Sequence, residues 1–190
     1  MKLRNKYRPT AIVGLLIILF VGYRELHWFS NETFGENAPC PINEKTYTVR
    51  GESMRPLLKE GQGITGLLGY YACHEVKRGD IILYEPPGKE NVIVKKVVGT
   101  PGDSFAIEKN GTSPDWNIVI NGSLLTNSAG VAYALDEQKH KILALYERDY
   151  TGNIPEGAYI LLGDAPAGSL DSTQFGLAQK SRIMGKVEPQ

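Results

Sequence analysis

After Asn31 the chain is a succession of short β-rich runs separated by turn signals, with no amphipathic helix of ordinary length among them. Apolar and polar positions alternate in KTYTVRG (45–51). DIILYEPPG (80–88) reads as a strand halted by two prolines. NVIVKKVVGTPGD (91–103) is a β-branched run ended by Gly-Thr-Pro-Gly. DWNIVINGSLL (115–125) has the pattern of a hairpin with Asn121-Gly122 at its turn. GAYILLGD (157–164) and SRIMGKVE (181–188) complete the series. ALDEQKHKILALYE (134–147) fits a helix, yet its charges and apolar residues equally suit two short strands around a turn. The pattern predicts a mainly β domain without repeats or low-complexity tracts.

One segment breaks the pattern. Thr10–Tyr23, TAIVGLLIILFVGY, carries no charge and is preceded by the basic head Lys2, Arg4, Lys6 and Arg8. As a helix it would span roughly 21 Å, short of a hydrocarbon core of ~30 Å. Leu26, Trp28 and Phe29 extend it, because Arg24 can snorkel and Trp favours the interface. A cleaved signal peptide has an apolar region of this length too. The first small residues after the run, near Asn37-Ala38, run straight into Pro39, and Cys40 is too distant to be a lipoprotein cysteine. We therefore expect a basic cytoplasmic head at 1–9, an uncleaved signal-anchor at 10–29, and the remainder outside the cytoplasm by the positive-inside bias.

Composition changes this picture little: 190 residues, 42% hydrophobic and 22% charged, suit one folded domain with small appendages. Charge distribution changes it more. Every charge in residues 1–24 is positive, so the rest of the chain is acidic by about five charges, a poor surface for nucleic acid. Cys40 and Cys73 match no zinc spacing, and outside the cytoplasm they either pair or remain two buried thiols. Paired, they would close a loop worth ~3–4 kcal/mol.

The chemistry centres on RGESMRPLLKEG (50–61), where Ser53 stands at a bend. A turn serine that satisfies the backbone is the ordinary reading; a nucleophile is the other, and it needs a base. His27 falls at the membrane interface and His140 in a charged run, both expected in solvent. His74 has no recognisable orienting acid, and no nucleophile elbow surrounds Ser53. A lysine is the better candidate. In VIVKKVV, Lys95 shares one strand face with Ile93 and Val97, and Lys96 the other with Val94 and Val98. A lysine buried among such residues loses hydration, and its pKa falls toward what a general base requires. An edge strand with two snorkelling lysines is the plain alternative.

The order GESMRPLL, RGDIILYEPP, VIVKKVVGTPGD and LLGDAPAGSLDSTQFG resembles the bacterial type I signal peptidase family, membrane-anchored Ser/Lys endopeptidases that cut signal peptides from exported proteins. The four blocks cover most of 49–185. The resemblance implies an antiparallel β catalytic core at 38–103 and 159–190, a small inserted β cap at 104–158, and one N-terminal transmembrane helix. It puts the nucleophile on Ser53 and the general base on Lys95. Ser169 matches the serine that hydrogen-bonds the lysine amine, Gly163 and Asp164 the Gly-Asp that supports the site, and Asp171 the acid of a salt bridge. Lys96 and Thr173 stand where that bridge's arginines are often found, so an Asp171–Lys96 pair is expected. The oxyanion hole would use the Ser53 N–H. Gly51 replaces a side-chain hydroxyl donor found in some members, leaving a backbone N–H or water to serve.

The implied substrate is a preprotein signal peptide added as an extended strand, with small residues at −1 and −3. Val49, Met54, Leu57, Ile93 and Val94 are the lining candidates, each otherwise plain core. Membrane lipid is the other expected contact; a monomer without metal or cofactor is expected. Three alternatives stay open: a peptidase dedicated to one partner such as a pilin, a mitochondrial inner-membrane relative, and a catalytically silent membrane-tethered β module. A self-cleaving Ser/Lys repressor would need a DNA-binding domain that the first 24 residues do not supply. The sequons at Asn31, Asn110 and Asn121 matter only in a glycosylating host.

Overall fold

The computed structural model describes residues 40–89, 91–166 and 169–190. The basic head, the apolar run, His27 and the Asn31 sequon lie outside the described residues. Among the described residues, no helix is long and apolar enough to cross a membrane.

Eleven strands are defined: β1 (Asn43–Thr48), β2 (Gly63–Leu68), β3 (Ile81–Tyr84), β4 (Ile93–Gly99), β5 (Phe105–Lys109), β6 (Trp116–Ile120), β7 (Ser123–Leu124), β8 (Ala134–Leu135), β9 (Ala158–Leu162), β10 (Ala178–Gln179) and β11 (Ile183–Pro189). Seven form one sheet in the order β1–β2–β11–β3–β4–β9–β10, with every pairing antiparallel. The other four form a smaller antiparallel sheet in which β6 pairs with β5, β7 and β8. The fold is mainly antiparallel β.

The second strand of the series, GITGLL, gave no strand signal in the sequence because glycine is depleted in strands. Here Gly66 is required by close approach. A Cβ built on it would meet Leu83 Cδ1 at 2.6 Å and the Tyr47 ring at 2.8 Å. The Asn121-Gly122 turn forms as expected, with both residues at positive φ (50° and 72°), as a two-residue hairpin demands.

The ambiguous stretch before residue 150 resolves as a helix, Lys139–Asp149, after the two-residue strand β8. Leu143 is its fully buried position and packs with Phe105, Ile118, Leu135, Ile160 and Leu162. This cluster joins the smaller sheet to β9. His140, expected in solvent, is instead buried and stacks on the Trp116 ring at 4.3 Å.

A second cluster, around Ile82, Val97 and Leu161, lies against the central strands of the larger sheet. A third gathers Val49, Met54, Leu58, Ile64, Leu83 and Val187 beneath the bend that carries Ser53. Met54 is 1% exposed, and burying such a side chain contributes about 1.5–3 kcal/mol. The bend is therefore pinned by the residue next to the serine.

Cys40 and Cys73 form a disulfide, which settles the alternative left open by the sequence. It ties the first described residue to the short 3-10 turn Tyr70–Ala72. His74 stacks on Tyr70 at 4.0 Å and bonds that residue's carbonyl through Nδ1 at 2.9 Å.

Candidate active site

Four segments distant in sequence converge on one point. The first is the bend after β1. Gly51 sits at φ 77°, where only glycine is unstrained, and the chain then turns so that Met54 and Leu58 enter the core. The Arg55–Pro56 peptide is cis. Ser53 rides on the outside of this bend, and its backbone N–H donates to no acceptor among the described residues.

The second segment is β4. Its partner β3 sets Ile82 opposite Lys95 and Ile81 opposite Lys96. Lys95 is 3% exposed, and its Nζ lies 2.9 Å from Ser53 Oγ. The amine also donates to the Val94 carbonyl at 2.8 Å. Burial lowers its pKa from 10.5 to about 8, and the negative charge of Asp171 holds it from falling further. A lysine in this state is neutral for a substantial fraction of the time near neutral pH.

The third segment follows β9. Gly163 passes so close to the bend that a Cβ there would lie 2.5 Å from Ser169 Oγ and nearer still to the Ser53 carbonyl oxygen. Ala165 N–H donates to that same carbonyl at 3.0 Å. The fourth segment is the entry to a one-turn helix, Ser172–Phe175, capped by Asp171. Asp171 is buried and fully engaged. It accepts from Gly163 N–H at 3.2 Å, Ser169 Oγ at 2.7 Å, and Thr173 N–H and Oγ1 at 3.0 and 2.7 Å.

Two expectations change here, and one is narrowed. Asp171 does not pair with Lys96, because Thr173 and Ser169 already fill its acceptor positions. Lys96 reaches Asp164 instead, Nζ to Oδ1 at 3.8 Å. Ser169 gives its hydroxyl to Asp171 and not to the lysine amine, whose partners are Ser53 and Val94. Gly51 N–H is taken by the Glu60 carboxylate at 3.2 Å, so it is not a free second donor in this state.

Beside Ser53 and Lys95 opens a groove of about 560 Å³. Val49, Met54, Ile93 and Val94, four of the five candidate lining residues, border it. Leu57 does not; it packs against the third cluster. Tyr47, Arg50, Asn91 and Val92 are among its other wall residues, and they were not singled out by the sequence. The β4–β9 ladder begins only at Lys96, so Ile93–Lys95 front the groove with one side of the strand.

The sequence also gave no sign of what lies behind the Gly163-Asp164 pair. Asn127, Ser128 and Tyr133, from the loop between β7 and β8, all hydrogen-bond to it. Asn-Ser-Ala-Gly is legible as a turn, but its tertiary partner is not. Among the described residues, no cluster of His, Cys, Asp and Glu could hold a metal ion.

Residues 42–189 match the family model described as "Signal peptidase, peptidase S26". The chain is 32% identical over 152 residues to Signal peptidase IB of Staphylococcus aureus (strain COL), covering 74% of each protein. It is 30% identical over 145 residues to Signal peptidase I of Bacillus caldolyticus, covering 75% of this chain and 76% of that one. A solved signal peptidase I from Enterococcus faecalis V583 superposes with a TM-score of 0.40 at 22% identity, over 60% of this chain and 97% of the other.

Proposed function

The chain belongs to the signal peptidase family, peptidase S26, and from that premise we infer that it is a signal peptidase I, a serine peptidase that removes signal peptides from preproteins. The single observation that carries a mechanism is the 2.9 Å approach of Lys95 Nζ to Ser53 Oγ at a buried amine of lowered pKa.

Neutral Lys95 takes the Ser53 proton as Oγ attacks the scissile carbonyl. The bond from Oγ to the carbonyl carbon forms, and the tetrahedral oxyanion is met by the Ser53 N–H. The ammonium of Lys95 then returns its proton to the leaving amine as the peptide bond breaks. Lys95, neutral again, draws a proton from water as its oxygen attacks the acyl carbon, and the Lys95 ammonium returns that proton to Ser53 Oγ as the bond from Oγ to the acyl carbon breaks. The Gly163–Ala165 segment and Asp171 hold the parts in register.

The substrate lies along Ile93–Lys95 as an added strand, and its small side chains at −1 and −3 enter the groove beside Val49, Met54, Ile93 and Val94. The disulfide supports an extracytoplasmic catalytic domain, since such bonds persist in oxidising compartments. With the basic head and apolar run ahead of it, the protein is a single-pass membrane enzyme whose N-terminus is cytoplasmic.

The test is cleavage of purified preproteins in detergent by wild type, Ser53→Ala, Lys95→Ala and Lys96→Ala. Cleavage by wild type, none by the first two variants and partial activity in the third is the expected pattern. Equal cutting by wild type and Ser53→Ala would overturn the mechanism. An inert wild type on several preproteins would point to a dedicated substrate.

A further inference from the structure

We propose that the 127–133 segment of the smaller sheet positions the Ser53–Lys95 pair, with Tyr133 and Asn127 as positioning residues. The proposal rests on the reading of the protein as a signal peptidase.

The Gly163–Ala165 segment is the wall against which Ser53 leans, through the Ala165 N–H and the bare Cα of Gly163. What holds that wall comes from the insert. Tyr133 Oη donates to the Gly163 carbonyl at 2.8 Å, and Asn127 Nδ2 donates to the Asp164 carbonyl at 3.0 Å. Ser128 N–H donates to Asp164 Oδ1 at 3.0 Å, and the Ser128 hydroxyl donates to Oδ2. Both backbone carbonyls and both carboxylate oxygens of the Gly163-Asp164 pair are thus gripped by one short segment.

That segment is itself cross-linked by hydrogen bonds. Asn127 Oδ1 accepts from Ala129 N–H at 3.0 Å and from Val131 N–H at 2.9 Å, and Thr126 bridges Ala132. Asn127, Tyr133 and Asp164 are all buried. Burial, with the charges of Asp164 and Asp171, pushes the Tyr133 phenol up, so it remains a donor across the pH range in which Lys95 titrates.

A phenylalanine would fill the same space and leave the Gly163 carbonyl buried without its tyrosine donor. The Gly163 peptide could then rotate. Gly163 N–H is bonded to Asp171, and its Cα lies where an added Cβ would meet the Ser53 carbonyl and Ser169 Oγ, so such a rotation displaces the backbone beside the nucleophile. Small misplacements of that kind cost rate without costing affinity, because the groove walls belong to other segments.

The experiment compares full-length wild type, Tyr133→Phe, Asn127→Ala and Leu143→Ala. Leu143 is buried in the same insert but is not among the residues that hydrogen-bond Gly163 or Asp164. We expect Tyr133→Phe and Asn127→Ala to lower kcat on a preprotein by about 10–100-fold with KM within about twofold. Leu143→Ala, assayed well below its melting temperature, should keep kcat near wild type. Unchanged kcat in Tyr133→Phe, or an equal loss in Leu143→Ala, overturns the proposal. Acetylation of Ser53 by p-nitrophenyl acetate, followed by mass spectrometry, separates this from failure of the functional reading. If wild type is acetylated but cuts no preprotein, that reading fails, and slower acetylation of Tyr133→Phe still supports positioning. Equal acetylation rates in the two proteins overturn positioning alone.

Discussion

The pH dependence of cleavage tests the role of Lys95 most directly. With a pKa of about 8, Lys95 is neutral in about one molecule in ten at pH 7; at the ordinary 10.5 the share would be about one in three thousand. Burial therefore enlarges the neutral fraction about 300-fold, equivalent to about 3 kcal/mol. The rate should climb close to tenfold per pH unit from pH 5.5, bend near pH 8 and level off above 9. Preprotein cleavage in detergent under conditions set by kcat/KM reads this profile, with substrate stability checked at each pH. The same shift has a consequence for folding. Between about pH 8 and 10.5 the unfolded chain keeps a proton that the folded chain has lost, so stability rises with pH through that window. Below about pH 8 the penalty is fully present. Lys95→Met, inactive, should therefore be more stable than wild type at pH 7, by up to about 3 kcal/mol, and lose that advantage above pH 10.5. Denaturant melts at the two pH values measure it. A rate that is flat from pH 6 to 9, or that bends only above pH 10, would refute the assignment of Lys95 as the base.

Three further outcomes follow from neighbouring groups. Asp171→Asn removes the charge that raises the Lys95 pKa, so the bend in the rate profile should move below pH 8; the plateau should fall as well, because Ser169, Thr173 and Gly163 lose a charged acceptor. Gly163→Ala would force the Ser53 carbonyl and Ser169 apart, and a loss of at least about 100-fold in kcat/KM is expected in the preprotein assay. Replacing Cys40 and Cys73 together by serine opens a loop of sequence separation 33 and should cost ~3–4 kcal/mol in denaturant unfolding, with kcat/KM of the folded fraction retained.

Local pattern carried much of this protein. The strands β3, β4, β6, β9 and β11 follow from β-branched runs and their turn residues, because period-two burial writes itself into neighbouring positions. Ser53 and Lys95 stood out as candidates for a related reason: a serine bend and a lysine in an apolar strand are each costly features that sequence displays, and the block order joined them. The strand GITGLL was illegible because its Gly66 answers to Tyr47 and Leu83 across the sheet, which no local window contains. The helix Lys139–Asp149 was undecided until one side of it found the smaller sheet.

What tertiary structure alone decided is how acids and hydroxyls pair around the catalytic point. Lys96 stands one position from Lys95, yet its partner is Asp164, while Asp171 turns to Ser169, Thr173 and the Gly163 N–H. The Lys96 partnership depends on a distance of a few ångströms between segments tens of residues apart. So does the grip of Tyr133 and Asn127 on Gly163-Asp164, and so does the depth of burial that lowers the Lys95 pKa. The sequence determined which groups are present and which strands carry them, because side-chain alternation is local. Desolvation and hydrogen-bond partnership are properties of the folded volume, and only the packed sheets fixed them.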